Sequence, residues 1–177
     1  MKATNTEHVS EDKLIQMKVT GLTIDPFTSM PIIILKDLEE RSALPIWIGL
    51  IEASAIATEL EHIQLSRPMT HDLLKNILGA VDVKVDRVVV HDLADNTFYA
   101  RIELTHKEKK LELDARPSDA IAIALRTKAP IFVAKKVIDK SRKIDLSKEG
   151  TDEQSRKQKW TEILENLSPE DFGKYKM

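Results

Sequence analysis

Two short segments of the sequence combine the same kinds of chemical group around an Arg-Pro pair. One reads Arg67-Pro68-Met69-Thr70-His71-Asp72 and the other reads Arg116-Pro117-Ser118-Asp119. We call them the Arg-Pro corners. Each offers a guanidinium, a hydroxyl and a carboxylate, and proline followed by an acidic residue is typical of the first turn of a helix. An arginine beside a helix start suits an anion such as phosphate. The candidates for binding a phosphate-containing substrate are therefore Arg67, Thr70, Arg116 and Ser118.

Carboxylates in and near the two corners indicate what could happen to a bound phosphate. Asp72, Asp114 and Asp119 could hold a divalent cation, Mg²⁺ or Mn²⁺, that activates water for phosphodiester hydrolysis. His71 adds a ligand or a base, so the candidate catalytic residues are His71, Asp72, Asp114 and Asp119. A purely structural interpretation stays open. Hydroxyls and acids cap helices, and arginines pair with acids, without any ligand.

The second corner lies between two different kinds of element. Leu111 and Leu113 alternate with polar residues, which predicts a half-buried strand. From Ala120 to Leu125 the chain is apolar on every side, and Pro117 marks a helix start. We therefore predict a helix that is buried all round, with the charged groups of the corner at its beginning.

Alternating apolar residues predict strands in the rest of the chain. Val81, Val83 and Val85 alternate with charged residues, and the alternation slips at Arg87, which predicts a β-bulge or a strand that passes from the edge of the sheet to its interior. Further strands are predicted at 15–19, 31–35, 44–48, 98–104 and 131–133. Helices are predicted from about residue 50 to 62, and from the first Arg-Pro corner to Gly79.

An internal repeat is suggested by a shift of 67 residues, which places Leu44 on Leu111 and Glu52 on Asp119. Each half then consists of a hairpin followed by a helix with an acid in its first turn. Chance similarity between alanine-rich helices is the alternative explanation. We predict a duplicated hairpin–helix unit, and hence an α+β fold with a mixed or antiparallel sheet and helices packed on it.

The composition excludes several classes of protein. The chain has 177 residues, a net charge of −2 and no cysteine, so it has no disulfide, thiolate zinc site or cysteine nucleophile. No apolar run is long enough to span a membrane and the N-terminus is polar, so we expect a cytoplasmic protein without membrane partners. The motifs of P-loop enzymes, dinucleotide-binding domains and serine hydrolases are absent.

Composition also divides the chain into three parts. We predict a domain over residues 13–138, a charged linker over 139–159, and an amphipathic helix with a tail over 160–177. The helix is predicted because Trp160, Ile163, Leu164 and Leu167 recur at helical spacing. It would dock on the domain or on a partner.

Four motifs, in order along the chain, resemble those of the bifunctional nuclease (BFN) domain family of bacteria and plants. They are Leu44-Pro45-Ile46-Trp47-Ile48-Gly49 followed by Glu52-Ala53, then Arg67-Pro68-Met69-Thr70-His71-Asp72-Leu73, then Asp95-Asn96-Thr97-Phe98-Tyr99-Ala100, and Asp114-Ala115-Arg116-Pro117-Ser118-Asp119-Ala120-Ile121-Ala122. The resemblance covers about residues 17–138. It implies an α+β domain with nuclease activity on both RNA and DNA, and a homodimer. The alternative function is a non-catalytic module whose two corners bind a phosphorylated ligand or a partner carboxylate.

Overall fold

One seven-stranded sheet with four helices makes up the computed structural model, which describes residues 13–147 and side chains as far as residue 141. The strands are β1 (Leu14–Ile24), β2 (Pro31–Asp37), β3 (Ala43–Trp47), β4 (Val83–Ala94), β5 (Thr97–His106), β6 (Lys109–Ala115) and β7 (Ile131–Ala134). The helices are α1 (Leu50–Leu60), α2 (Thr70–Ala80), α3 (Pro117–Thr127) and α4 (Lys135–Ser147). The predicted α+β class is confirmed.

The sheet has the strand order β3-β2-β1-β7-β4-β5-β6. Neighbouring strands are antiparallel except β4 and β7, which run parallel, so the sheet is mixed. Two antiparallel meanders, β1–β3 and β4–β6, flank β7, and each is followed by a helix. This arrangement agrees with the predicted hairpin–helix repeat, but common descent of the two halves stays a prediction. The register between β4 and β5 shifts between Val85 and Arg87, at the predicted bulge.

Helix α3 is the buried helix of the domain, as predicted. Ala120 and Ile121 are fully buried, and Ala122, Ile123 and Ala124 are 1% exposed. The helix packs against α1 and α2 on its sides and against β4 and β5 beneath it. Its alanines carry little side-chain volume, which allows the helix backbone to lie close to the sheet.

The half-buried strand predicted around Leu111 and Leu113 is more exposed than expected. Leu111 is 43% exposed and Leu113 is 50% exposed. They pair with Leu104 and Ile102 of β5, which are buried. The difference arises because β6 is the edge of the sheet and α3 covers β4 and β5 instead.

The linker predicted from residue 139 does not begin there. Helix α4 continues to Ser147, so residues 139–147 are helical. Val137 and Ile138 are buried, and Lys140 Nζ donates to Asp92 Oδ1 at 2.7 Å and to the Leu93 carbonyl at 3.0 Å, so the helix is anchored to β4. The rest of the predicted linker and the predicted helix over 160–177 lie outside the described residues. Within the described part of the chain, no helix is long and apolar enough to cross a membrane.

Candidate active site

The first turns of three helices meet around Arg116. Its Nη1 lies 2.8 Å from Oε1 of Glu52 in α1, and its Nε donates to Oδ2 of Asp119 in α3 at 2.7 Å. Oδ1 of Asp119 lies 3.1 Å from Nε2 of His71 in α2. A continuous chain of charged and hydrogen-bonded groups therefore links Glu52, Arg116, Asp119 and His71. It contains one residue from the first Arg-Pro corner and two from the second.

The local sequence explains how the second corner is built. Strand β6 ends at Ala115, and Arg116 has an extended backbone with φ −67° and ψ 143°. Pro117 then fixes a helical φ at the first position of α3. Asp119 stands three residues after Arg116, a spacing at which the two side chains reach each other across the first turn. The predicted helix start thus also holds the Arg116 side chain at the N-terminus of α3.

The Asp119 carboxylate is held in its charged form. Burial is the largest single influence and acts to raise its pKa, but the hydrogen bonds from Arg116 and His71 and the nearby positive charge together keep the pKa below the ordinary value. An ionised carboxylate only accepts hydrogen bonds. Nε2 of His71 therefore carries the proton in their contact, which leaves Nδ1 as the ring nitrogen that can accept one. The pair resembles the carboxylate–histidine unit of hydrolases, in which the acid orients a histidine base.

The carboxylate of the first corner, Asp72, has a different partner. Its Oδ1 accepts from Nε of Arg126 at 2.6 Å, and its Oδ2 accepts from the Met69 amide at 3.0 Å. Burial is the largest single influence and acts to raise the pKa of Asp72, but these two hydrogen bonds and the nearby positive charge together lower the pKa below its ordinary value. Arg126 also donates to the carbonyls of Ala122 and Ala55. Asp72 therefore fastens the start of α2 to α1 and α3.

Asp114 does not join the other candidates. In the β5–β6 register it pairs with Arg101, between Ala100 and Ile102, which are buried under the helices. Because alternate residues of a strand point to opposite faces, Asp114 points to the sheet face away from α1, α2 and α3. The sequence did not reveal this, because it does not show which face of β6 the helices cover.

The predicted metal ligands are consequently not brought together. Asp72 and Asp119 are each bound by an arginine, and Asp114 lies on the other face of the sheet. Among residues 13–141, no group of three or more histidine and acidic side chains is placed to hold a metal ion. The side chains present do not fit a site with three carboxylate ligands for a hard divalent ion.

The remaining substrate-binding candidates differ in accessibility. Arg67 is exposed on the loop before α2 and makes no ion pair within the described residues. Thr70 is exposed at the first position of α2. Ser118 is only 7% exposed, so its hydroxyl is poorly placed to meet a substrate. Arg67 and Thr70 therefore remain the accessible groups of the first corner.

Two residues of the site were not among the predicted candidates. Glu52 had a usable signal, because the internal repeat aligns it with Asp119, and both acids now contact Arg116. The sequence carries no signal for Arg126, because a single arginine at the end of an apolar helix does not indicate that its side chain is buried, here to 1% exposure.

Comparisons with known proteins agree with the resemblance of the four motifs. The model of the bifunctional nuclease domain matches residues 33–145. An uncharacterized protein of Mycobacterium tuberculosis is 34% identical over 162 residues, which cover 89% of this chain and 97% of that protein. Bifunctional nuclease 1 of Oryza sativa subsp. japonica is 31% identical over 110 residues, or 59% of this chain and 33% of the plant protein. Bifunctional nuclease 1 of Arabidopsis thaliana is 29% identical over 120 residues, covering 65% and 37% of the two chains. The chain belongs to the bifunctional nuclease domain family.

Proposed function

We propose that this protein is a nuclease that hydrolyses phosphodiester bonds of RNA and DNA at the convergence of α1, α2 and α3. The observation that carries the proposal is the His71–Asp119 contact beside Arg116, at 3.1 Å and 2.7 Å respectively. This contact supports the proposal because an imidazole that a carboxylate orients lies next to a guanidinium, a group that can bind phosphate. The names of the plant relatives support the same reaction class.

In the proposed reaction, Nδ1 of His71 takes a proton from a water molecule whose oxygen attacks the phosphorus. The P–O ester bond on the opposite side breaks, and its oxygen takes a proton from solvent. Asp119 stabilises the resulting imidazolium through Nε2. This route needs no 2′-hydroxyl, so it applies to RNA and DNA alike.

Arginines and helix starts supply the positive charge that the phosphate needs. Arg116 is 66% exposed, and its contacts with Glu52 and Asp119 leave further N–H donors for phosphate oxygens. Arg67 is the exposed arginine of the first corner. The positive ends of the three helix dipoles lie on the same side of the domain and favour an anion. We therefore assign Arg67 and Arg116 to phosphate binding and stabilisation of the transition state.

The test uses purified protein with end-labelled RNA and single- or double-stranded DNA. Asp119→Asn should lower kcat by about 10- to 100-fold, since the amide orients His71 less well and stabilises an imidazolium less. Asp114→Asn is the matched control, because it makes the same chemical change on the other sheet face. Equal loss in the two variants would refute the proposed site. Mg²⁺ or Mn²⁺ dependence stays a prediction, tested by adding a chelator.

A second function, phosphate binding without catalysis, is favoured by one observation. All three carboxylates of the helix starts, Glu52, Asp72 and Asp119, already contact arginines, as in a purely structural network. Under this alternative the wild type would bind a labelled oligonucleotide but release no product with any divalent ion. Binding should then fall on salt addition and in Arg67→Ala.

We also propose that the protein is a cytoplasmic homodimer. The absence of cysteine fits a reducing compartment. Helix α2 has no buried residue, and its Leu73, Leu74 and Ile77 are 52%, 40% and 50% exposed, which is typical of a surface that meets a partner. Light scattering should give twice the monomer mass for the wild type. Ile77→Glu should give the monomer mass, and a monomeric wild type would contradict the proposal.

A further inference from the structure

Arg116 is held from two directions by carboxylates of two different helices. Asp119 binds its Nε at 2.7 Å, and Glu52 of α1 lies 2.8 Å from its Nη1. The Glu52 side chain is 20% exposed, whereas that of Arg116 is 66% exposed. A long exposed side chain has many rotamers, and a single contact leaves most of them accessible. The second contact restricts the guanidinium to one position.

Gly49 makes room for the Glu52 carboxylate. A Cβ atom built on Gly49 would lie 3.1 Å from Cδ of Glu52 and would overlap its Oε2. The backbone of Gly49 has φ −73° and ψ 161°, which any residue can adopt. Glycine at this position therefore matters for the space it leaves to the Glu52 carboxylate and not for its backbone conformation. The atoms that a methyl group would meet are the far end of a flexible side chain, so the domain can accept alanine by moving the carboxylate.

We infer that Glu52 is a positioning residue of the active site, acting through Arg116 on the Asp119–His71 pair, and that Gly49 permits it to act. The inference rests on the proposed nuclease function. With Glu52, helix α1 contributes to the proposed site together with α2 and α3, the helices that begin at the two Arg-Pro corners. This role of Glu52 gives a reason for the convergence of the three helix starts. When the Glu52 carboxylate is displaced, Arg116 loses one of its two anchors and Asp119 loses a fixed partner.

The decisive variants are Gly49→Ala and Glu52→Ala, singly and together, with Gly79→Ala as the control. Gly79 lies in α2, and a Cβ there would meet nothing within 4 Å. We expect Gly49→Ala and Glu52→Ala each to lower kcat by about 10- to 100-fold and to raise KM, because the released Arg116 also binds the phosphate. Gly79→Ala should keep both constants. The double variant should be no slower than Glu52→Ala, because the added methyl group then has no carboxylate to displace.

A second readout does not depend on cleavage. The side-chain Nε–H signal of Arg116 in ¹⁵N NMR spectra should exchange with solvent faster in Gly49→Ala than in the wild type and Gly79→Ala. Unchanged exchange and unchanged kcat in Gly49→Ala would overturn the inference, as would a double variant slower than both single ones. A wild type that cleaves nothing refutes the proposed function instead, and the Arg116 signal still decides whether Gly49 and Glu52 hold the guanidinium.

Discussion

The contact between Arg126 and Asp72 predicts an unequal cost for removing its two partners. The side chain of Arg126 is 1% exposed and that of Asp72 is 31% exposed. Removing the carboxylate leaves a guanidinium buried without a counter-charge. Removing the guanidinium leaves a carboxylate that water can reach. The first change should therefore destabilise the domain more than the second.

The magnitudes follow from the bonds that each change breaks. Arg126→Met keeps most of the side-chain volume and loses one charge-assisted hydrogen bond and two bonds to carbonyls. Those carbonyls lie within α3 and α1, where the helix ladder still binds them, so we expect a loss of about 2–3 kcal/mol. Asp72→Ala leaves the buried Arg126 guanidinium without a counter-charge and should lower the free energy of unfolding by about 3–5 kcal/mol.

Urea unfolding followed by circular dichroism measures both values. With a slope of about 2 kcal/mol per molar urea, Arg126→Met should lower the midpoint by about 1 M or more, and Asp72→Ala by a larger amount. Arg67→Met is a useful control, because it removes an exposed arginine before α2 that makes no ion pair within the described residues. If Asp72→Ala costs less than Arg126→Met, or if both change the midpoint no more than the control, Arg126 does not fasten the three helices as we argue.

Three further predictions follow from the packing, the charges and the domain boundary. Ala122→Leu should cost about 1–3 kcal/mol, because Ala122 is 1% exposed and a larger side chain overpacks the core; a neutral result in urea unfolding would contradict this. The pKa values of Asp72 and Asp119 lie below the ordinary value of 3.8, so near that pH the folded state binds fewer protons than the unfolded chain. The two ionised carboxylates therefore stabilise the fold fully above pH 3.8, and this stabilisation is lost as the pH falls through their lowered pKa values. The melting temperature should then fall less at acid pH in Asp72→Asn than in the wild type, and an equal fall would refute the assignment. Truncation after Ser147, where α4 ends, should leave a domain that melts cooperatively; aggregation would show that residues 148–177 belong to the core.

The sequence predicted those parts of the fold that local patterns determine. Alternation predicted most of the strands, and the slip at Arg87 predicted the bulge, because both follow from the two-residue period of a strand. Pro117 and the apolar run after it predicted α3 and its burial. The exposure of Leu111 could not be predicted, because it depends on which strand forms the edge of the sheet. Helix α4 was missed because its many charged residues resemble those of a linker, and the burial of Val137 and Ile138 and the contact of Lys140 with β4 depend on the fold.

The candidate site could be predicted only in part, for a similar reason. The corner at Arg116 is local, and its contact with Asp119 follows from a spacing of three residues in one helical turn. The contact of His71 with Asp119 joins residues that are 48 positions apart, and it depends on how α2 packs beside α3. The side to which Asp114 points depends on the sheet register. A set of three aspartates therefore looked like a metal site in the sequence, whereas folding separates them.

The most direct test of the proposed site compares two histidine variants on the same labelled RNA and DNA substrates. His71→Ala removes the proposed base and should lower kcat by about 10²- to 10⁴-fold, with a melting temperature close to that of the wild type. His106→Ala is the control, since His106 lies at the end of β5 that pairs with the beginning of β6, whereas Arg116 follows the other end of β6. We predict wild-type cleavage by His106→Ala and almost none by His71→Ala. Full cleavage by a folded His71→Ala variant would contradict the assignment of the active site to the three helix starts.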